Sequence, residues 1–143
     1  MLRTRLTDVL GVEHPVMLAG MGGVSYHRLV AAVSEAGGYG CFGASTLPAE
    51  ELRAEMRAAR ALTDKPFGVD LLTALPQRLL EDVALLIDEG ATVFAAGLGI
   101  PHDVISMCHE RNVLVLSMCG KVRHAVAAVE AGCDIVVAQG TEA

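Results

Sequence analysis

No stretch of this chain stays apolar for the ~20 residues that a membrane-crossing helix requires. Its longest apolar runs are broken by glycine or charge well before that. The basic start, Met1-Leu2-Arg3-Thr4-Arg5, leads into no long apolar segment and so does not read as a secretory signal. Positive charge is also scarce. Eleven Lys and Arg stand against 17 Asp and Glu, a formal net charge of −6, which leaves no basic footprint for a nucleic acid. The four cysteines, Cys41, Cys108, Cys119 and Cys133, form no Cys-x-x-Cys pair. They sit in apolar surroundings and read as reduced thiols of a cytoplasmic protein. Cys108-His109 has no second ligand cluster to make a metal site with, and reads as a packing pair on a helix.

What the chain has in quantity is apolar residues, at 52%, and glycine, at 15. Short runs rich in Val, Ile, Leu and Ala begin near Val16, Tyr39, Phe67, Thr92, Val113 and Asp134. Each is apolar on both alternating sets of positions, the pattern of strands buried on both faces of a parallel sheet. Helical stretches lie between them. Leu52, Met56, Ala59 and Leu62 recur at helical spacing, with Glu51, Arg53, Glu55, Arg57 and Arg60 on the other side. Leu79, Val83 and Leu86 form a second stripe, and Val122, Ala125, Val126 and Val129 a third. Pro48, Pro76 and Pro101 fall near helix starts, where a missing N–H costs little.

Three helices are expected to stop alike, at Gly37, Gly90 and Gly132, because glycine tolerates the left-handed conformation that closes a helix. Repeated strand–helix–glycine units imply right-handed parallel crossovers. An open doubly wound sheet and a (β/α)8 barrel both satisfy that pattern. The short, even units favour the barrel. A full barrel needs roughly 250 residues. The expected fold is thus α/β, an incomplete (β/α)8 TIM barrel with its first six parallel strands and five helices. Residues 1–143 would form the N-terminal portion of a single barrel domain, the remainder lying beyond Ala143. Its open strand edges would invite association with other chains.

In barrels the chemistry sits after the C-terminal ends of the strands. Those ends read Ala19-Gly20-Met21-Gly22-Gly23, Gly43-Ala44-Ser45-Thr46, Gly68-Val69-Asp70, Ala95-Ala96-Gly97-Leu98-Gly99, Ser117-Met118-Cys119-Gly120-Lys121 and Gln139-Gly140-Thr141-Glu142. Any one glycine here is explained by a tight turn. The set together leaves a broad floor with exposed N–H groups, suited to a flat, polar-edged ring. Lys121 opens the fifth of the helices that follow a strand, where the helix dipole disfavours a cation. It reads either as a solvated surface lysine or as a partner for an anion, such as an anionic substrate or Glu142. His27, His102, His109 and His124 fall on helices, and His14 lies before the first strand, at the wrong end for catalysis.

Four stretches carry a resemblance: His14-Pro15-Val16-Met17-Leu18-Ala19-Gly20-Met21-Gly22-Gly23, Ala32-Val33-Ser34-Glu35-Ala36-Gly37-Gly38-Tyr39-Gly40, Thr63-Asp64-Lys65-Pro66-Phe67-Gly68-Val69-Asp70, and the final Ala131 to Ala143. In order and spacing the chain resembles the N-terminal part of the FMN-dependent nitronate monooxygenases. FMN-type enoyl-acyl-carrier-protein reductases share these stretches. The resemblance implies an FMN cofactor held by Gly20, Met21, Gly22, Gly23, Asp70 and Gln139, with Met21 packed at the ring and Gly22 and Gly23 offering N–H groups. At position 70 the family usually has Asn, which can donate as well as accept, whereas ionised Asp only accepts. The resemblance further implies a catalytic histidine in a Gly-Gly-His that follows Glu-Ala, beyond Ala143. The implied reaction is oxidation of an alkyl nitronate by FMN and dioxygen to a carbonyl compound and nitrite. FMN- and NAD(P)H-dependent reduction of an enoyl thioester is the alternative, and a non-catalytic truncated or split-barrel piece is a third.

Overall fold

A computed structural model describes residues 2–73, 76–97 and 101–141. Its elements alternate as α1 (Arg5–Leu10), α2 (His27–Glu35), β1 (Gly40–Gly43), α3 (Ala49–Arg60), β2 (Phe67–Leu71), α4 (Pro76–Asp88), β3 (Val93–Ala96), α5 (His102–Glu110), β4 (Leu114–Cys119), α6 (Val122–Ala131) and β5 (Ile135–Ala138). The sheet runs β1-β2-β3-β4-β5, in the order of the sequence. A doubly wound sheet would reverse its strand order at a switch point. Among the described strands no reversal occurs, so the fold is α/β and consistent with an incomplete (β/α)8 barrel. No helix among the described residues is long and apolar enough to cross a membrane.

Five expected strands begin within one residue of their apolar runs. The first does not extend into a ladder. It is a single parallel bridge between Met17 and Tyr39, closed by Tyr39 N–H to the Val16 carbonyl and Leu18 N–H to the Tyr39 carbonyl, both at 2.9 Å. Just past the bridge the chain turns into a loop, where the Ala19 carbonyl accepts from the Ser25 hydroxyl at 2.8 Å. Helix α1 joins the five helices expected between strands. Thr4 caps it by accepting from the Thr7 N–H, and the Thr7 hydroxyl accepts from the Thr4 N–H in return.

The chain forms two compact units, Met1–Val69 and Asp70–Ala143. In the first, β1 packs one face onto α2. Ser34 on α2 donates to the Pro66 carbonyl at 3.0 Å and accepts from the Gly40 N–H at 3.2 Å. This one hydroxyl ties the helix both to its strand and to the turn that leads into β2. Gly40 leaves room for it. A Cβ there would lie 2.4 Å from the Val30 carbonyl and 2.7 Å from Ser34 Oγ. Phe42 and Phe67 meet edge to face, with centroids 5.6 Å apart, a geometry worth about 1 kcal/mol beyond burial. The Arg60 guanidinium lies 4.3 Å over the Phe67 ring and donates to the Thr63 and Lys65 carbonyls. Helix α3 buries Leu52, Met56 and Ala59 as its stripe requires, but ends at Arg60. Leu62 therefore lies past the helix and is exposed.

In the second unit, β3, β4 and β5 pair in parallel, with Ala96 opposite Ser117 and Cys119 opposite Ala138. Asp134 sets the entry to β5. Its N–H donates to the Val115 carbonyl at 2.9 Å, while its carboxylate accepts from the Val115 N–H at 2.8 Å and faces His109 Nε2 at 3.0 Å. Leu79, Val83 and Leu86 of α4 are buried as their spacing requires. The third stripe is not: Val122, Val126 and Val129 of α6 are exposed, and α6 buries no residue. The expected stops hold. Gly37, Gly90 and Gly132 all have positive φ.

The glycine at position 40 gives a direct test of the α2–β1 packing. Gly40→Ala should lower stability by about 1–3 kcal/mol, since the added methyl has backbone and Ser34 in its way. Gly120→Ala, whose Cβ would meet nothing within 4 Å, should change it by less than about 0.5 kcal/mol. Urea-unfolding midpoints of the two variants check this; equal effects would remove the steric account.

Candidate functional site

The loop at residues 19–26 is built by its own serine. Ser25, fully buried, donates to the Ala19 carbonyl and accepts from the Met21 N–H at 3.2 Å. The Val24 and Ser25 N–H groups turn back onto the Met21 carbonyl at 3.1 and 2.9 Å. The loop is pressed onto the end of β1 at Gly43, where a Cβ would lie 2.3 Å from the Met21 carbonyl carbon and 2.6 Å from the Gly22 nitrogen. Only a strand end without a side chain lets another backbone approach this closely.

This arrangement decides which groups of the loop stay available. The Gly23 N–H is taken by the Tyr26 hydroxyl at 3.0 Å. The Met21 N–H is taken by Ser25. Gly20 and Gly22 keep N–H groups with no acceptor among the described residues. The Met21 side chain is 41% exposed, unusual for a large apolar residue beside a strand end. Ser25 and Tyr26 were not singled out from the sequence. The signal for Ser25 was there, in a small hydroxyl four residues after Met21 and two before a helix.

Asp70 is the fourth residue of β2 and is 8% exposed. Successive strand side chains alternate between faces. Phe67 faces Arg60 of α3, so Asp70 lies on the opposite face of the strand. No hydrogen-bond or ionic partner reaches its carboxyl among the described residues. Burial pushes that carboxyl up to about 6 from its ordinary 3.8. Folding therefore disfavours the ionised form. The stability this group contributes is full below the ordinary carboxylate value and is lost as pH rises through about 6.

In the second unit, Lys121 and Gln139 come together. Parallel pairing of β4 and β5 puts their C-terminal ends side by side, and the Gln139 N–H donates to the Cys119 carbonyl at 3.1 Å. An open cleft of about 320 Å³ lies there, lined by Cys119, Gly120, Lys121, Val122, Ala138 and Gln139 among others. Lys121 is the N-cap of α6 and makes no side-chain cap. With Arg123 and His124 following and no acidic residue in the first turn, the mouth of this cleft favours an anion. Glu142, the other partner considered for Lys121, and the strand-end residues Leu98 and Gly99 lie outside the described residues. His27, His102, His109 and His124 all lie on helices. No cluster of metal-binding side chains is found among the described residues, and Cys108, on α5, is buried with its thiol pushed up to about 11 by burial and by Asp134.

Comparison with known proteins places this geometry. A profile of the nitronate monooxygenase family matches residues 3–143. The chain is 38% identical to a Mycobacterium tuberculosis protein described as a (3aS,4S,5R,7aS)-5-hydroxy-7a-methyl-1-oxo-octahydro-1H-indene-4-carboxyl-CoA dehydrogenase, over 99% of this chain and 39% of that protein. Among solved structures, FabK from Thermotoga maritima superposes with a TM-score of 0.93 at 36% identity, over 99% of this chain and 45% of that one. Nitroalkane oxidase from Streptomyces ansochromogenes superposes with a TM-score of 0.83 at 30% identity, over 98% of this chain and 49% of that one. The chain thus spans less than half the length of each of these three proteins. It belongs to the nitronate monooxygenase family of oxidoreductases.

Proposed function

We propose that this chain supplies part of the cofactor floor of an FMN-dependent oxidoreductase that oxidises alkyl nitronates with dioxygen, giving a carbonyl compound and nitrite. The observation that carries the proposal is the loop seated on Gly43. It holds a backbone N–H at Gly22 that has no acceptor among the described residues, beside an exposed Met21 side chain at a strand end. The buried Asp70 carboxyl, without a partner among the described residues, has the same character. Such groups fit a flat ring with polar edges, and Gly20, Met21, Gly22, Gly23, Asp70 and Gln139 are the residues that would hold it. When bound, FMN would supply the redox chemistry.

The chain's own residues have separable tasks. Ser25 keeps the loop in one shape, so the Gly22 N–H is already oriented and costs no ordering when a ligand acceptor arrives. Met21 offers a polarizable apolar surface for a ring. Lys121 and the first turn of α6 provide positive potential for a nitronate or another anionic substrate. Gln139, held by the Cys119 carbonyl at its backbone, carries an amide that can both donate and accept.

A second reading has its own support. The Mycobacterium tuberculosis relative is described as acting on a carboxyl-CoA compound, and its identity exceeds that to the nitroalkane oxidase. On that reading the substrate is a thioester, as in the FMN- and NAD(P)H-dependent enoyl reductases.

The two readings separate in one assay. Purified full-length protein containing this chain should be yellow and release FMN on denaturation. In air it should release nitrite from an alkyl nitronate and leave NAD(P)H unconsumed with an enoyl thioester. Thioester turnover without nitrite would select the second reading, and a colourless protein that FMN cannot reconstitute would reject both. Gly43→Ala tests the loop itself. Its methyl must push Met21 and Gly22 away by about 1 Å, and the Kd for FMN should rise about tenfold or more, roughly 1.4 kcal/mol. An unchanged Kd by fluorescence titration would show that the loop's seat does not set flavin binding.

A further inference from the structure

Asp70 stands apart from the other carboxylates of the chain. Asp8, Glu55, Asp82 and Asp134 each have a cationic, imidazole or backbone partner. Asp70 is more buried than any of them, and among the described residues nothing answers its carboxyl. Its strand is otherwise Phe67, Gly68, Val69 and Leu71. The strands next to it in the sheet, β1 and β3, hold only one titratable side chain, Cys41, buried and donating to the Phe42 carbonyl. Desolvation alone moves the Asp70 carboxyl, with no charged neighbour contributing. A carboxyl this buried, and solitary among the described residues, costs stability once ionised; its oxygens are not sealed from solvent, so a group from outside the protein can complete it.

The neutral and ionised forms would accept different things. A carboxylate is acceptor-only and would ask for a cation or two donors. A carboxylic acid presents one donor and one acceptor side by side. That is the complement of a lactam edge, C(=O)–NH, such as the pyrimidine edge of a flavin. It is also the pattern of an asparagine amide. We infer, on the flavin reading above, that Asp70 binds as a neutral carboxylic acid, pairing its O–H and C=O with a lactam edge of the ring, so that ligand binding is linked to a proton held at Asp70.

The linkage has a definite sign. Where the free protein already holds the proton, below about pH 6, the ligand binds at no extra cost. Above it, each pH unit weakens binding by up to about tenfold, until the bound form also begins to lose the proton. Asparagine carries the same donor and acceptor without a proton to lose. Asp70→Asn should therefore keep the contact and abolish its pH dependence.

The test measures riboflavin and FMN affinity by fluorescence quenching from pH 5 to 9, in full-length protein and in its Asp70→Asn and Asp70→Ala variants. Riboflavin has no phosphate, whose own second ionisation near pH 6 would otherwise blur the profile. The ratio of Kd for the native protein to Kd for Asp70→Asn should be within about threefold of one at pH 5. It should rise to at least about tenfold by pH 8. Asp70→Ala should bind more weakly than Asp70→Asn at every pH. Circular dichroism of each variant, taken without ligand, separates loss of contact from loss of fold. A ratio that stays flat across pH would overturn the inference while leaving flavin binding intact. A ratio that falls with pH would also overturn it, by showing an acceptor-only carboxylate. Absence of flavin binding by the native protein and Asp70→Asn at all pH values would overturn the flavin reading, and with it this role of Asp70.

Discussion

Strand β1 has no side chain at either end, and the first unit depends on that. Gly40 lets the α2 backbone and the Ser34 hydroxyl approach one face. Gly43 lets the Met21–Gly22 backbone approach the other end. Between them, Cys41 and Phe42 are fully buried. The two glycines solve different problems. The first admits a helix close enough for one hydroxyl to hold both strand and following turn. The second brings a loop down onto a strand end, so that amide groups rather than side chains line that end. Added bulk at either place would not merely loosen the core; it would move the elements that carry the candidate site.

The second unit relies on charge where the first relies on the absence of bulk. Asp134 fixes β5 against β4 by using both its backbone and its carboxylate on Val115. That sets the register in which Cys119 lies beside Ala138. The register in turn brings Gln139 next to Gly120 and Lys121 and forms the cleft there. A positive helix start, an uncapped lysine and a strand-end amide then share one opening. The chemistry offered is recognition of an anionic or polar-edged ligand.

The buried thiols and the helix-borne histidines are the quiet part of the molecule. Cys41, Cys108 and Cys119 are buried, and burial raises the Cys108 thiol well away from thiolate reactivity. His27 is held by Glu55 and His109 by Asp134, each in a contact between elements. Among the described residues these imidazoles act as packing and register groups. The groups left without protein partners are instead a carboxyl in a strand and amides in a glycine loop.

Much of this was legible in the residues themselves. Apolar runs on both alternations, followed by helical stripes and a stopping glycine, are local patterns. They gave strand starts at Phe67 and near Thr92 and Val113, and helix stops at Gly37, Gly90 and Gly132, because backbone conformation and period depend on neighbours in sequence. The glycine-rich strand ends pointed to the right loops for the same reason. Other features depended on groups far apart in the chain. The first strand shrank to one bridge, Met17 to Tyr39, a pairing between residues 22 apart in the chain. The α6 stripe stayed exposed because no described element covers it, which no periodicity can report. Asp70 looked like a mere replacement for asparagine. Its burial, the upward shift of its carboxyl that burial causes, and its lack of an answering group among the described residues are properties of the space around it, and only the folded chain creates that space.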